Sequence, residues 1–186
     1  LHKTQRYLSV NSIEYFKKWV CEYFFHTLHI QDIAKITEPK ELFLDSLNIV
    51  HLRRWCHGKT GVPIVDAGMR ELYYTGFVHP KVRKIVAMYC IEKLNIPNEI
   101  GRRWFAHMDT NFNPQRNGYF WHKLQNIELT GDYSSRMMDS KALYIKRWIP
   151  ELKQVSTEDI HAWTDSRYRK MLRQQRRTKI KYPDPI

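Results

Sequence analysis

Residues 55–84 read WCHGKTGVPIVDAGMRELYYTGFVHPKVRK and contain a turn, a helix and a second turn in immediate succession. Two glycines bound the first turn, and the proline that follows suits the first turn of a helix. Val65, Met69 and Leu72 then recur at helical spacing until Gly76 ends the pattern. The stretch therefore predicts a helix that packs through one face, followed by a His-Pro step and a cluster of cations.

Helical periodicity continues on both sides of this stretch, and no segment shows the alternating pattern of a strand. The predicted helices cover residues 11–29, 38–54, 79–94 and 99–108, a segment around Trp121, and YIKRWIPELK up to the residue before Pro150. Ser156, with Asp159 three positions on, has the spacing of a helix cap. The sequence predicts an all-α fold, with one helical domain over residues 1–163 and a basic C-terminal extension over residues 164–186.

The charge of the chain favours a polyanionic partner. It has 31 Lys and Arg against 19 Asp and Glu, a formal net charge of +12, and nucleic acid, DNA or RNA, is the partner that this balance favours. Eight cations and no acid lie between residues 167 and 181, which is typical either of a solvated tail or of an arm that binds phosphates without sequence preference. The candidate nucleic-acid-binding residues in this run are Arg167, Arg169, Lys170, Arg173, Arg176 and Arg177.

Several other classes of protein lack their sequence signals. Three cysteines without a CxxC pair argue against a disulfide framework or a thiolate metal site, and predict an intracellular, reducing compartment. His26 and His29 could share a helix face but have no third ligand nearby, so no metal site is predicted. No run approaches the roughly 18 apolar residues of a membrane span, and neither a P-loop nor a Gly-x-Ser-x-Gly elbow occurs.

Residues 55–84 resemble the signature of the photolyase/cryptochrome family, W-x-x-G-x-T-G-x-P-x-V-D-A-x-M-R-x-L-x-x-T-G-W-x-H-N-R-x-R. Residues 102–122, RRWFAHMDTNFNPQRNGYFWH, and residues 133–152, YSSRMMDSKALYIKRWIPEL, are similar to later segments of the same family. The resemblance spans about residues 4–163. It implies the helical FAD-binding domain of the photolyase/cryptochrome type, without the α/β antenna domain that precedes it in the family.

The resemblance also implies a set of flavin contacts. Arg83 and Asp109 match the buried arginine–carboxylate pair beside the flavin, and such a pair brings charge and orientation to an apolar pocket. An alternative for this pair is that it ties helices together without any flavin. Thr4 and Ser9 lie in a stretch similar to the family segment that grips the flavin pyrophosphate. Asn111 stands where the family has an acid, and Gln115 stands where it has the asparagine near the reactive flavin nitrogen. The implied cofactor-binding residues are these four together with Arg83 and Asp109.

The resemblance also implies a set of residues that would contact nucleic acid. Lys81 and Lys84 fall at the mouth of the flavin pocket, where they would face a nucleic-acid backbone, and Arg136 falls on a DNA-side arginine. Trp121 falls where the family keeps a lesion-facing tryptophan, although a single buried tryptophan equally fits a place in the core. Both interpretations of Trp121 stay open at this point.

Departures from the family pattern leave the activity open. Pro80 replaces the asparagine of the His-Asn-Arg step, and the places of the electron-transfer tryptophans fall on Asp45, Asn98 and Tyr119. Residues 20–23, Val-Cys-Glu-Tyr, stand where the family has Trp-Arg-Glu-Phe against the lesion. One hypothesis is a divergent FAD-binding module with nucleic-acid affinity, in which light-driven DNA repair, as by a deoxyribodipyrimidine photolyase, is doubtful. The alternative is a non-enzymatic, flavin-free structural or RNA-binding subunit, with other protein subunits, in a large ribonucleoprotein assembly.

Overall fold

The computed structural model describes residues 46–125, 135–166, 169–170 and 181–186. Every regular element in these residues is helical, and the predicted all-α fold is confirmed. The α-helices are α1 Ser46–Cys56, α2 Pro63–Thr75, α3 Pro80–Glu92, α4 Asn98–Met108, α5 Pro114–Gln125, α6 Ser135–Met138, α7 Leu143–Trp148 and α8 Thr157–His161, with a 3-10 turn at Pro150–Leu152. The helix predicted over residues 11–29 lies outside the described residues, as does the first part of the one over 38–54.

Helix α2 begins and ends where the sequence predicts. Pro63 occupies the first position, where the missing N–H of proline costs no helical hydrogen bond. Gly76 caps the other end with φ 68°, and its N–H donates to the Leu72 carbonyl. A Cβ at Gly76 would overlap the Thr110 side chain, so glycine meets both the backbone conformation and the close approach of the α4–α5 loop.

A buried carboxylate ties the turn before α2 to the rest of the fold. Asp66, in the first turn of α2, accepts hydrogen bonds from the Thr60 N–H at 2.7 Å, the Thr60 hydroxyl at 2.6 Å and the Gly61 N–H at 2.9 Å. It also accepts one from the Tyr182 hydroxyl. Burial raises the pKa of Asp66, while these hydrogen bonds act in the opposite direction. The turn is therefore held by one side chain that collects four donors.

Helix α3 lies against α2 at close range. Gly68 of α2 faces Val82 and Val86 of α3, and the absence of a side chain at Gly68 allows this contact. Trp55, fully buried near the end of α1, donates from its indole N–H to the Val86 carbonyl at 3.1 Å. These contacts fix the N-terminal half of α3, which carries Arg83, relative to α1 and α2.

Residues 182–186, here called the C-terminal strap, return to the turn before α2. Tyr182 is only 1% exposed, and its ring centroid lies 5.4 Å from that of Trp163. The Ile186 N–H donates to the Thr60 carbonyl at 3.0 Å. The segment predicted as a basic extension, residues 164–186, thus contributes Tyr182 to the same core as the helices.

Among the described helices, none has the length and apolar character needed to cross a membrane.

Candidate functional site

The structure brings together the two residues on which the sequence-based site depends. Arg83 lies in the first turns of α3, and Asp109 follows directly after the last residue of α4. The Arg83 Nη2 group donates to Asp109 Oδ2 in an ion pair. The two side chains are 12% and 7% exposed, so this pair joins α3 to the α4–α5 loop largely away from water.

Aromatic rings surround the guanidinium of Arg83. Its central carbon lies 4.9 Å from the ring centroid of Phe105 and 5.8 Å from that of Phe120. The Arg83 Nε is buried and has no hydrogen-bond partner within the described part of the chain. Since a buried donor without a partner is costly, the site retains the capacity to bind one more polar acceptor.

The loop that carries Asp109 is fixed from both sides. The second carboxylate oxygen of Asp109, Oδ1, accepts from the Asn111 N–H at 3.0 Å, and Arg116 Nη2 lies 3.8 Å from Oδ2. Arg116 also donates to the Asn111 carbonyl at 3.0 Å. The Thr110 N–H donates to the Gly76 carbonyl at 3.0 Å, which anchors the loop to the end of α2. The position of Asp109 is therefore determined before any ligand binds.

Asn111 and Gln115, the other two predicted flavin contacts in this loop and helix, are less buried than the Asp109 side chain. Asn111 and Gln115 are both exposed, and the contacts of Asn111 described above come from its backbone. Asn117, which the sequence did not single out, is 6% exposed and donates from Nδ2 to the Arg102 carbonyl at 2.9 Å. Its Oδ1 has no partner in the described residues. The available signal was its spacing of four residues from Trp121, because such residues share one face of a helix.

Trp121 lies in the core. It is 0% exposed, its ring centroid is 5.6 Å from that of Phe105, and a Cβ at Gly101 would overlap its indole. The Trp121 Nε1 group finds no partner in the described residues. Of the two interpretations open from the sequence, this burial favours the core one, since no face of the ring is presented to solvent.

Four of the predicted nucleic-acid-binding cations are exposed: Lys81, Lys84, Arg136 and Lys170. Lys81 and Lys84, the two predicted at the mouth of the flavin pocket, lie on the same helix as Arg83. His79 caps that helix, and its Nδ1 accepts from the Lys81 N–H at 3.3 Å. Burial, and after it the charge of Lys81, lowers the pKa of His79, which keeps the ring in the neutral form that can accept this bond.

Arg169 differs from the other predicted cations. Its Nε donates to Asp184 Oδ1 at 2.7 Å, its Nη1 donates to the Trp163 carbonyl at 2.6 Å, and its side chain is 12% exposed. The remaining predicted site residues, Thr4, Ser9, Arg167, Arg173, Arg176 and Arg177, lie outside the described residues.

Two of the three expected electron-transfer positions are described, and no metal cluster is found in the same part of the chain. Asn98 is the first residue of α4, and Tyr119 lies on α5 with the Lys123 ammonium 5.8 Å from its ring centroid. The described residues contain no group of three or more His, Cys, Asp or Glu placed to hold a metal ion.

Comparison with known proteins places the chain in a family. Residues 11–186 match the family model described as the FAD binding domain of DNA photolyase. The chain belongs to this family. It is 36% identical over 124 residues to the deoxyribodipyrimidine photo-lyase of Vibrio cholerae, a match that covers 59% of this chain and 26% of the relative. It is 32% identical over 144 residues to that of Halobacterium salinarum, covering 73% of this chain and 29% of the relative. The chain thus matches less than a third of the length of these photolyases.

Solved photolyase structures share the fold. A class III photolyase from Agrobacterium tumefaciens superposes with a TM-score of 0.74 at 24% identity, over 98% of this chain and 41% of that one. An archaeal photolyase from Sulfolobus tokodaii, solved with two FAD molecules, gives a TM-score of 0.62 at 30% identity, over 76% and 32% of the two chains. The photolyase/cryptochrome resemblance drawn from residues 55–84 is confirmed.

Proposed function

We propose that this photolyase-family domain binds FAD at the site built around Arg83 and Asp109. The observation that carries the proposal is the buried ion pair itself, with one guanidinium nitrogen still lacking a partner in the described residues and two aromatic rings beside it. This donor set fits a ligand that combines a polar, hydrogen-bonding edge with a flat aromatic ring system. Membership of a family described as FAD-binding supports the same ligand.

Arg83 and Asp109 would hold the polar edge of the flavin, and each has a distinct task. The Arg83 Nε is positioned to donate, while Asp109 keeps the guanidinium in place and adds a negative charge that the arginine balances. Phe105 and Phe120 lie beside the guanidinium, and the low exposure of the pair strengthens its electrostatic effect. When bound, FAD would supply one-electron and two-electron redox chemistry to the site.

We further propose that the module does not repair DNA by light unaided. Pro80 has no side-chain amide where the family has asparagine, and proline offers no donor. Asn98 and Tyr119 stand at positions of the family's electron-transfer tryptophans. Asparagine has no aromatic ring to carry an electron hole, whereas tyrosine keeps a ring that can be oxidised. Trp121, buried against Gly101, does not offer a stacking face to a base. These departures support altered photochemistry in a domain that still binds FAD.

Nucleic-acid affinity is the second part of the proposed function. The net charge of +12 and the exposed lysines at positions 81 and 84, on the helix that carries Arg83, support a phosphate-binding surface at this end of α3. Relatives named deoxyribodipyrimidine photo-lyases favour DNA as the polymer. The alternative of a flavin-free ribonucleoprotein subunit has no specific observation in its favour among the described residues.

Neutralising the ion pair should abolish or weaken flavin uptake. Arg83→Met and Asp109→Asn are each expected to lower the affinity for FAD by about tenfold or more, equivalent to about 1.4 kcal/mol, because each removes one of the two charges at the polar edge. Absorbance in the blue and near ultraviolet after gel filtration with added FAD measures the bound fraction. Arg103→Gln, an exposed arginine paired with Glu99 on α4, is the matched control and should bind as wild type. Wild-type protein that takes up no FAD would contradict the proposal.

Removing the two surface lysines should weaken DNA binding in a sequence-independent way. Lys81→Ala with Lys84→Ala is expected to flatten the slope of log affinity against log salt by about 0.9 for each phosphate that is no longer neutralised. Titration of labelled duplexes of different sequence at several salt concentrations measures the slope. Lys153→Ala, exposed beyond the 3-10 turn, serves as control. An unchanged slope in the double variant would show that this surface does not bind phosphates.

A further inference from the structure

The C-terminal strap is held through polar atoms along its whole length. Its two prolines restrict the backbone, so little conformational entropy is lost when it docks. Its contacts are Tyr182 hydroxyl to Asp66, Trp163 indole N–H to the Pro183 carbonyl, Arg54 to the Asp184 carbonyl, Arg169 to the Asp184 carboxylate, Ile186 N–H to the Thr60 carbonyl, and Tyr89 hydroxyl to the Ile186 carbonyl. The strap therefore joins α1, α3, the turn before α2 and the segment after α8.

One of these contacts involves the run of cations. Arg169 belongs to residues 167–181, which contain eight Lys or Arg and no acid, and Asp184 is the first acid after that run. The Arg169 guanidinium donates to the Asp184 carboxylate at 2.7 Å and is 12% exposed, whereas Asp184 is 55% exposed. By contrast, Lys170 and Lys181 in the same run are exposed. The charge of Arg169 is thus paired internally within the most basic segment of the sequence.

A carboxylate and a phosphate oxygen make the same charge-assisted hydrogen bond with a guanidinium. We propose that Asp184 is an internal competitor of nucleic acid for Arg169: in the free protein the strap occupies Arg169, and a DNA phosphate takes the arginine in exchange for Asp184. This inference rests on the proposed nucleic-acid affinity and adds its regulation. The strap restrains polyanion binding in the free protein, and by thermodynamic linkage bound DNA weakens the docking of Asp184 by the same factor.

The exposure of Asp184 makes the exchange feasible. Its side chain is 55% exposed, so water and salt can compensate the carboxylate when it leaves the arginine, and a phosphate that approaches from the same solvent-facing side can replace it. Tyr182 remains anchored by its buried ring and its bond to Asp66, so the exchange releases only the outer part of the strap. The Arg169 Nη1 bond to the Trp163 carbonyl does not involve Asp184, so it can hold the guanidinium in place during the exchange.

The test compares two acids of equal charge. Asp184→Asn releases Arg169 from its carboxylate, and Glu158→Gln removes an exposed acid on α8 that makes none of the strap contacts above, so both variants change the net charge equally. With a short mixed-sequence DNA duplex, Asp184→Asn is expected to raise the affinity about threefold above that of Glu158→Gln, because DNA no longer has to displace the carboxylate from Arg169. Glu158→Gln should change the affinity only through the net charge. Adding Arg169→Gln to Asp184→Asn should remove the gain.

The outcomes separate this inference from the proposed function. If wild-type protein shows no salt-dependent DNA binding, the proposed nucleic-acid affinity fails and the competition fails with it. If wild-type protein binds and Asp184→Asn has the same affinity for the duplex as Glu158→Gln, the competition alone is overturned. A second measurement uses the wild-type chain and needs no folded variant: the NMR signal of the Arg169 Nε–H should shift as duplex is added. A signal that stays in place at saturating DNA would overturn the inference.

Discussion

Replacing Asp66 with alanine is expected to lower the free energy of unfolding by about 3–5 kcal/mol, a large part of the stability of a domain of this size. The carboxylate accepts from the Thr60 N–H, the Thr60 hydroxyl, the Gly61 N–H and the Tyr182 hydroxyl, and alanine removes the acceptor that these buried donors share. Equilibrium unfolding in urea, followed by circular dichroism, measures the loss. The variant should also loosen the C-terminal strap, because the Tyr182 hydroxyl no longer has Asp66 as its acceptor.

Two control variants test whether the loss of stability comes from the Asp66 carboxylate itself. Tyr182→Phe removes one donor and keeps the ring, so a loss of about 1–2 kcal/mol is expected. Glu158→Gln, which neutralises an exposed acid on α8, should leave stability unchanged. If Asp66→Ala unfolds at the same urea concentration as Tyr182→Phe, the carboxylate does not organise the turn before α2.

Replacing Trp121 with alanine is expected to cost about 3–5 kcal/mol of stability, because it opens a large cavity between α4 and α5. The indole is fully buried, packs against Phe105 and lies directly against Gly101, which has no side chain to fill the gap. Thermal or urea unfolding measures the effect. The FAD affinity should fall as well, because Phe105, which lies beside Arg83, loses its packing partner.

Trp121→Phe is the matched variant for this second prediction. Since the Trp121 Nε1 has no hydrogen-bond partner in the described residues, phenylalanine reduces the volume and breaks no hydrogen bond there, and about 1–2 kcal/mol is expected. A Trp121→Ala protein with wild-type stability and weakened DNA binding would contradict the core assignment. Such a result would restore the base-facing interpretation that the family resemblance implied.

Local sequence signals predicted the helices well. Pro63 and Gly76 bound α2 as expected, Pro150 follows the end of α7, and the Ser156 hydroxyl accepts from the Asp159 N–H at 3.1 Å in the predicted cap. Each signal acts through the backbone of neighbouring residues: proline lacks an N–H, glycine adopts positive φ, and a serine hydroxyl reaches an amide three residues on. Such effects do not depend on the rest of the fold.

The site was predicted less completely. Family resemblance, and no local pattern, paired Arg83 with Asp109, since these residues are 26 positions apart and share no periodicity. For Trp121 the sequence left both a lesion-facing and a core position open, and the indole lies buried in the core. Asn117 was missed because its local signal, the spacing of four residues from Trp121, places both residues on one helix face without showing that this face is buried. Burial depends on which helix packs against which face, and a single helix pattern does not contain that information.

The sequence by itself determined the helical class, the ends of most described helices and the family, because spacing, proline, glycine and a dense signature are properties of short stretches. Only the tertiary structure decided that Tyr182 reaches Asp66, 116 residues away, and that Arg169 is paired with Asp184. Contacts between segments so distant in the chain form when the whole core closes, and their energies come from shared burial. Residue types alone do not show which hydrogen-bond donors and acceptors come together when the core closes.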